Sequence, residues 1–211
     1  MPMTPRGRPR SFDRDAVLQQ AMRMFWERGY ESTSLADLTS ATGLKPPSLY
    51  AAFGSKEGLF REAVELYTRT DGALTGTALD GGPTAREAVG RMLRENACGY
   101  TEDGRPPGCM IVLAATTCAA ENESVRQLLA DTRADTLRSI RARLERGVAD
   151  GDLPAGTDTG QLADFYGTVL FGLSIRARDG ASREALLRVA DSAMHAWDAL
   201  TGGAGPAAPD D

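Results

Sequence analysis

Histidine occurs once in 211 residues, at His195, and cysteine three times, at Cys98, Cys109 and Cys118. The single imidazole stands far in sequence from any clustered Cys, Asp or Glu, so no metal site is expected. Nor can a nucleophile elbow or a Ser/His/Asp grouping be assembled around it. Three cysteines are an odd number and none has CxxC spacing, which argues against a disulfide framework; they are expected to be reduced thiols. Glycine-rich phosphate loops are missing as well. No stretch reaches the roughly 18 consecutive apolar residues of a membrane span, and the N-terminus lacks the apolar run of a signal peptide. These absences set the expectations: a cytoplasmic chain with no membrane partner, no cofactor, no metal and no catalytic residues.

What is present is enough to build a core, with 42% hydrophobic and 25% charged residues. The net charge of −5 conceals an asymmetry along the chain. Residues 1–60 carry eight Lys/Arg against six Asp/Glu, while residues 61–211 carry sixteen against twenty-three, giving +2 and −7. A basic front end on an acidic body suits a protein that meets phosphate at one end only. The first eleven residues, MPMTPRGRPRS, read as a flexible basic arm. Arg6, Arg8 and Arg10 of that arm are candidates for entering a DNA minor groove, the alternative being a solubilising tail.

Apolar residues recur at three- and four-residue intervals and never in convincing alternation, so the expected fold is all-α with about nine helices. The first helix spans about 13–28, with Val17, Leu18, Ala21, Met22 and Phe25 on one face, and stops at Gly29. Ser34 caps a short second helix that ends by Gly43. Pro46 occupies the first position of a third, which reaches about Phe53. Ser55 caps a fourth, carrying Leu59, Phe60, Val64 and Tyr67. Longer helices are expected at about 84–102, 108–120, 122–150, 159–178 and 182–200. Phe165, Tyr166, Val169, Leu170, Phe171, Leu173 and Ile175 wrap nearly the whole circumference of the 159–178 helix, which therefore needs cover on several sides. With the final helix it forms a pair suited to burial against the same pair of a second subunit.

Two short helices joined by a turn at Gly43, placed after a longer helix, form a helix-turn-helix, whose second helix enters the DNA major groove. Lys45 and Ser48 open the reading helix, Tyr50 lies on it and Lys56 begins the next; all four can reach phosphates or base edges. Residues 12–60, above all GYESTSLADLTSATGLKPPSLYAAFGSKEGLF, resemble the DNA-binding domain of TetR-family repressors. The resemblance implies backbone contacts from Thr33, Tyr50 and Lys56, and a reading helix that turns Lys45, Pro46, Pro47, Ser48 and Ala51 toward bases. Lys45 stands where the family more often has a Ser or Thr cap, Pro47 replaces a small residue, and Ala51-Ala52 replaces an aromatic or histidine pair. So few long polar side chains direct sequence choice toward thymine methyls, Lys45 and DNA shape.

The resulting organisation is a basic arm (1–11), a three-helix DNA-binding domain (12–60), a ligand-binding and dimerisation domain (61–201) and a disordered tail (202–211). For the third segment the resemblance is of architecture. It implies a cavity for a small-molecule inducer among the middle helices, with Tyr100, Met110 and Phe165 as candidate lining residues, and a homodimer through the last two helices on double-stranded operator DNA. Cys109, in PPGCMIV at a helix start, is either a thiol activated by the helix dipole or a small buried hydrophobe. On a continuous helix Cys118 would point about 180° away from it. A thiol switch at Cys109 in place of reversible ligand binding, and an enzyme or storage protein keeping the head as scaffold, are the alternatives.

Overall fold

The computed structural model describes residues 12–202; the arginines of the basic arm and the segment 203–211 lie outside them. The elements are α1 (Arg14–Arg28), α2 (Leu35–Thr42), α3 (Pro46–Phe53), α4 (Lys56–Arg69), α5 (Leu74–Gly81), α6 (Ala85–Gly99), α7 (Met110–Leu113), α8 (Glu123–Ala149), α9 (Thr159–Arg178), α10 (Arg183–His195) and α11 (Trp197–Leu200), with 3-10 turns at Asp71–Ala73 and Ala120–Asn122. No strand occurs among the described residues.

Local chemistry sets the ends of the head helices. The Asp13 carboxylate accepts from the amides of Asp15 and Ala16 to begin α1. Ser34 and Asp37 cap each other reciprocally at the start of α2, satisfying two amides that the helix itself cannot. Gly43, at φ 67°, makes the left-handed turn between α2 and α3, a backbone that a side chain would strain. Phe25 is the centre of the head core: Tyr30 stacks on it and Phe60 meets it edge-on at 5.0 Å.

That core does not stop at the head. Met110, Ile111, Ala114 and Ala115, together with Val125 and Leu129 of α8, belong to the same buried cluster as Phe25, Leu38, Leu49 and Phe60. A second cluster, around Tyr166, Leu93, Ile140, Leu144 and Leu186, fills the body between α6, α8, α9 and α10. Gly167 lets Leu137 of α8 approach to a place where a Cβ would stand 2.1 Å from its Cδ2, so the small residue permits close packing of α8 on α9. Gly172 meets nothing within 4 Å and lies on the uncovered side of α9.

Three expectations change. The helix expected at 108–120 is a single turn, α7, because the Ala114 carbonyl accepts the Tyr30 amide at 2.7 Å and the Ala119 amide donates to Glu31 at 2.7 Å. Both groups are spent on the head and not on a continuing helical ladder. The opposition expected of Cys109 and Cys118 across one helix therefore loses its premise. Residues 74–81, where no helix is expected from the sequence, form α5, which buries Ala78 and Leu79. The helix expected at 182–200 breaks at Ala196 into α10 and α11.

Candidate nucleic-acid interface and cavity

Helix α3 buries Leu49 and Phe53 in the head and leaves Lys45, Pro46, Pro47, Tyr50 and Ala51 exposed, with Ser48 half-buried. Lys45 makes no side-chain cap, so its ammonium is free to reach outward. Tyr50 retains 44% exposure, unusual for so large a ring on an otherwise packed helix. Lys56 is half-buried, its ammonium 4.1 Å from the centroid of the Tyr30 ring. Burial pulls its pKa down while Glu31 opposes the shift. The arrangement places two cations, Lys45 and Lys56, at or just beyond the ends of a helix whose exposed side carries the Tyr50 phenol and short side chains. Thr33 is placed differently from the resemblance: it is fully buried, and its hydroxyl donates to the Gly29 carbonyl at 2.7 Å. Its side chain braces the turn into α2 instead of presenting an oxygen to solvent.

In the body a cavity of about 70 Å³ lies under Tyr67, Tyr100 and Cys109, with Thr75, Asn96, Thr132 and Thr136 among its polar lining and Ile111, Val112, Leu170 and Phe171 among its apolar lining. Such a space holds a few waters or a molecule of a handful of heavy atoms. Tyr100 is thus brought to the cavity. Met110 is buried in the head cluster and Phe165 keeps 37% exposure on α9, and neither lines it. Tyr67, part of an apolar stripe in the sequence, lines the cavity as well. The tyrosine hydroxyls have pKa values well above the ordinary range, first because they are buried and next because of the neighbouring Cys109. Cys109 as a residue keeps some exposure, but burial of its sulfur raises the thiol pKa, against polar interaction with Tyr67 and the α7 amides. The activated thiol considered from sequence is therefore replaced by one held protonated.

Head and body meet at several further contacts. Glu31 accepts from the Ala119 amide and from Asn122, and is held below the usual carboxylate range chiefly by the Ala119 amide. Ser124 donates to Glu57 at 2.9 Å. Trp26, given no role by its sequence position, packs edge-on against Tyr67 at 4.9 Å and donates its indole N–H to the Gly108 carbonyl. No metal-binding group of three or more His, Cys, Asp or Glu occurs among the described residues, and no described helix is long and apolar enough to cross a membrane.

Residues 17–63 match the family profile described as bacterial regulatory proteins, tetR family, and residues 87–193 match the tetracyclin repressor-like C-terminal domain. The chain is 38% identical over 196 residues to the HTH-type transcriptional repressor ComR of Escherichia coli K12, covering 92% of this chain and 93% of that protein. It is 30% identical over 190 residues to the repressor BdcR of the same strain, covering 90% and 91%. A cysteine mutant of the TetR family transcriptional regulator CifR, solved with 26 bp double-strand operator DNA, is similar at 55% identity with a TM-score of 0.88, covering 90% of this chain and 100% of that one.

Proposed function

The chain belongs to the tetR family of bacterial regulatory proteins, and from that membership we propose that it is a cytoplasmic transcriptional repressor, not an enzyme, that binds operator DNA as a homodimer and leaves it when a small molecule occupies the body cavity. The observation that carries the proposal is the surface of α3, where Lys45, Tyr50 and Ala51 are exposed beside Lys56 while Leu49 and Phe53 anchor the helix. Lys45 and Lys56 serve phosphates or base edges, and the prolines and Ala51 supply apolar contact to thymine methyls. Thr33 contributes by holding the turn.

Dimerisation through α9 and α10 is supported by where large apolar side chains remain exposed among the described residues: Phe165, Ile175 and Val189 lie on those two helices, and Tyr50 alone lies elsewhere. Two reading helices one DNA turn apart, or a multiple of it, then address two half-sites. An inducer acts by preferring the state in which the heads no longer match that separation. The cavity takes a small, weakly polar molecule, with Tyr67 and Tyr100 offering hydroxyls to an acceptor atom. Footprinting of the DNA upstream of the gene tests the proposal: two symmetric protected half-sites are expected, and absence of any protected sequence in that region and in a genomic selection would contradict it.

A second mode would have to overcome the burial that raises the Cys109 thiol pKa, and rests on the groups that oppose that burial. The Cys109 sulfur sits at the amino end of α7 with Tyr67 and the Ile111 and Val112 amides around it, polar groups that would stabilise a thiolate once formed. In that mode a reactive small molecule alkylates or oxidises Cys109 and the modified side chain acts as the inducer. A Cys109→Ser protein that still releases DNA in response to every inducer would exclude it.

A further inference from the structure

The last residue of α9, Arg178, makes contacts unlike any other arginine among the described residues. Its guanidinium donates to the carbonyls of Glu27 at 2.6 Å and Trp26 at 2.7 Å and to that of Pro107 at 3.1 Å. The first two acceptors belong to the last turn of α1, where carbonyls have no partner inside the helix and the negative end of the helix dipole favours a cation. A planar fork bound to two successive carbonyls fixes direction as well as distance, which a point charge does not. No carboxylate lies within ion-pairing distance of Arg178 among the described residues, although ion pairs engage ten other arginines in the ordinary exposed manner.

The surroundings make the joint stiff. One turn earlier on α9, Ser174 is fully buried and accepts the Cys109 amide at 2.8 Å. Gly108, at φ 79°, lies so close to α9 that a Cβ on it would stand 2.6 Å from the Ser174 carbonyl. The same Gly108 receives the Trp26 indole at 3.0 Å. One face of α9 therefore grips the end of α1 and the 107–109 segment together, while the helix also bears the exposed Phe165 and Ile175.

We propose that Arg178 is the positioning residue that fixes the DNA-binding head against the dimerising helices, and so sets the half-site separation that the dimer accepts. The inference rests on the DNA-binding dimer proposed above. Because α9 would be held by its copy in the second subunit, the tie at its end fixes where α1 starts relative to the dimer axis. Phe25 and Phe60 join α1 to α4, and α3 follows. Ser174, one turn away, ties the same helix to the cavity residue Cys109, so a molecule that displaces Cys109 pulls on the helix that orients the head.

The test uses the full-length protein, its operator and versions of that operator with the half-site separation changed by one and two base pairs. Affinities of the unaltered protein, Arg178→Ala and Arg178→Lys are measured by fluorescence anisotropy at one salt concentration, with non-specific DNA and sedimentation as companions. Arg178→Ala is expected to bind the natural spacing about tenfold more weakly and the altered spacings nearly as the unaltered protein does, so that discrimination between spacings shrinks. Arg178→Lys, which keeps the cation and loses the fork, falls between. Dimerisation and non-specific binding stay unchanged. A purely structural role would weaken all spacings by one common factor, and that result, or no change at all, would overturn the proposal. Should Arg178→Ala fail to fold, the same ratio in Arg178→Lys decides. Absence of sequence-specific binding by the unaltered protein would overturn the regulator proposal and this one with it.

Discussion

Cys109 shows how a side chain's surroundings reverse a reading of its neighbours in sequence. The start of a helix lowers a thiol pKa through the dipole, but α7 is one turn long and the sulfur is buried under Tyr67 and Tyr100. Burial wins, and the thiol pKa is raised. The thiolate is the reactive form, so a raised pKa leaves less of it at neutral pH. Alkylation of Cys109 by iodoacetamide, followed by mass spectrometry, is expected to be slower at pH 7.5 than that of a free cysteine, which has a pKa near 8.5, and to accelerate only as pH rises beyond that value. A rate above the free-thiol value would show that the α7 amides prevail over burial.

Among the elements, α1 to α4 were legible because their signals are local. Asp13, Ser34 and Ser55 cap helices, and Gly29, Gly43 and Gly54 end them, within a few residues of where they stand. Replacing Ser34 by Ala removes the acceptor for the Asp37 amide and the hydroxyl that the Asp37 carboxylate binds. This is expected to cost about 1 kcal/mol of stability, read as a lower urea midpoint with an unchanged slope. The 108–120 helix was not legible, since what stops it is the Tyr30 amide, some eighty residues earlier in the chain and adjacent only in the fold. Helix α5 was missed because Gly76, Gly81 and three polar residues dilute its short apolar pattern of Leu74, Ala78 and Leu79. Of the cavity, Tyr100 could be anticipated as a large amphipathic ring near a helix end. Met110 and Phe165 could not be told from lining residues, because periodicity gives a face and not what lies opposite it. Arg178 carried no signal at all: its acceptors are backbone carbonyls, which every sequence has.

At the scale of the molecule, the head, the cavity and the surface of α9 and α10 are joined through one continuous set of packed segments. The head core extends into α7 and α8, and the head is tied to the body by Tyr30, Glu31, Glu57 and Trp26. A dimer formed by α9 and α10 would cover Phe165, Ile175 and Val189. Placing a charge there, as in Ile175→Asp with Val189→Asp, is expected to leave helicity intact while light scattering shifts from dimer to monomer, and operator affinity falls by roughly a hundredfold or more with loss of the second half-site. A variant that remains dimeric would locate the interface elsewhere.

Binding of DNA by the α3 surface is tested by the affinity of the purified protein for its upstream operator across a range of salt concentrations, beside a Tyr50→Ala/Lys56→Ala double variant. The unaltered protein is expected to bind tightly and specifically, weakening steeply as salt rises. The double variant is expected to lose most of that affinity and to show a shallower dependence, by about 0.9 in the slope of log K against log salt for each cationic phosphate contact removed, hence about 1.8 when both heads of the dimer lose Lys56. Equal affinities and equal slopes for the two proteins would contradict the assignment of this surface to DNA.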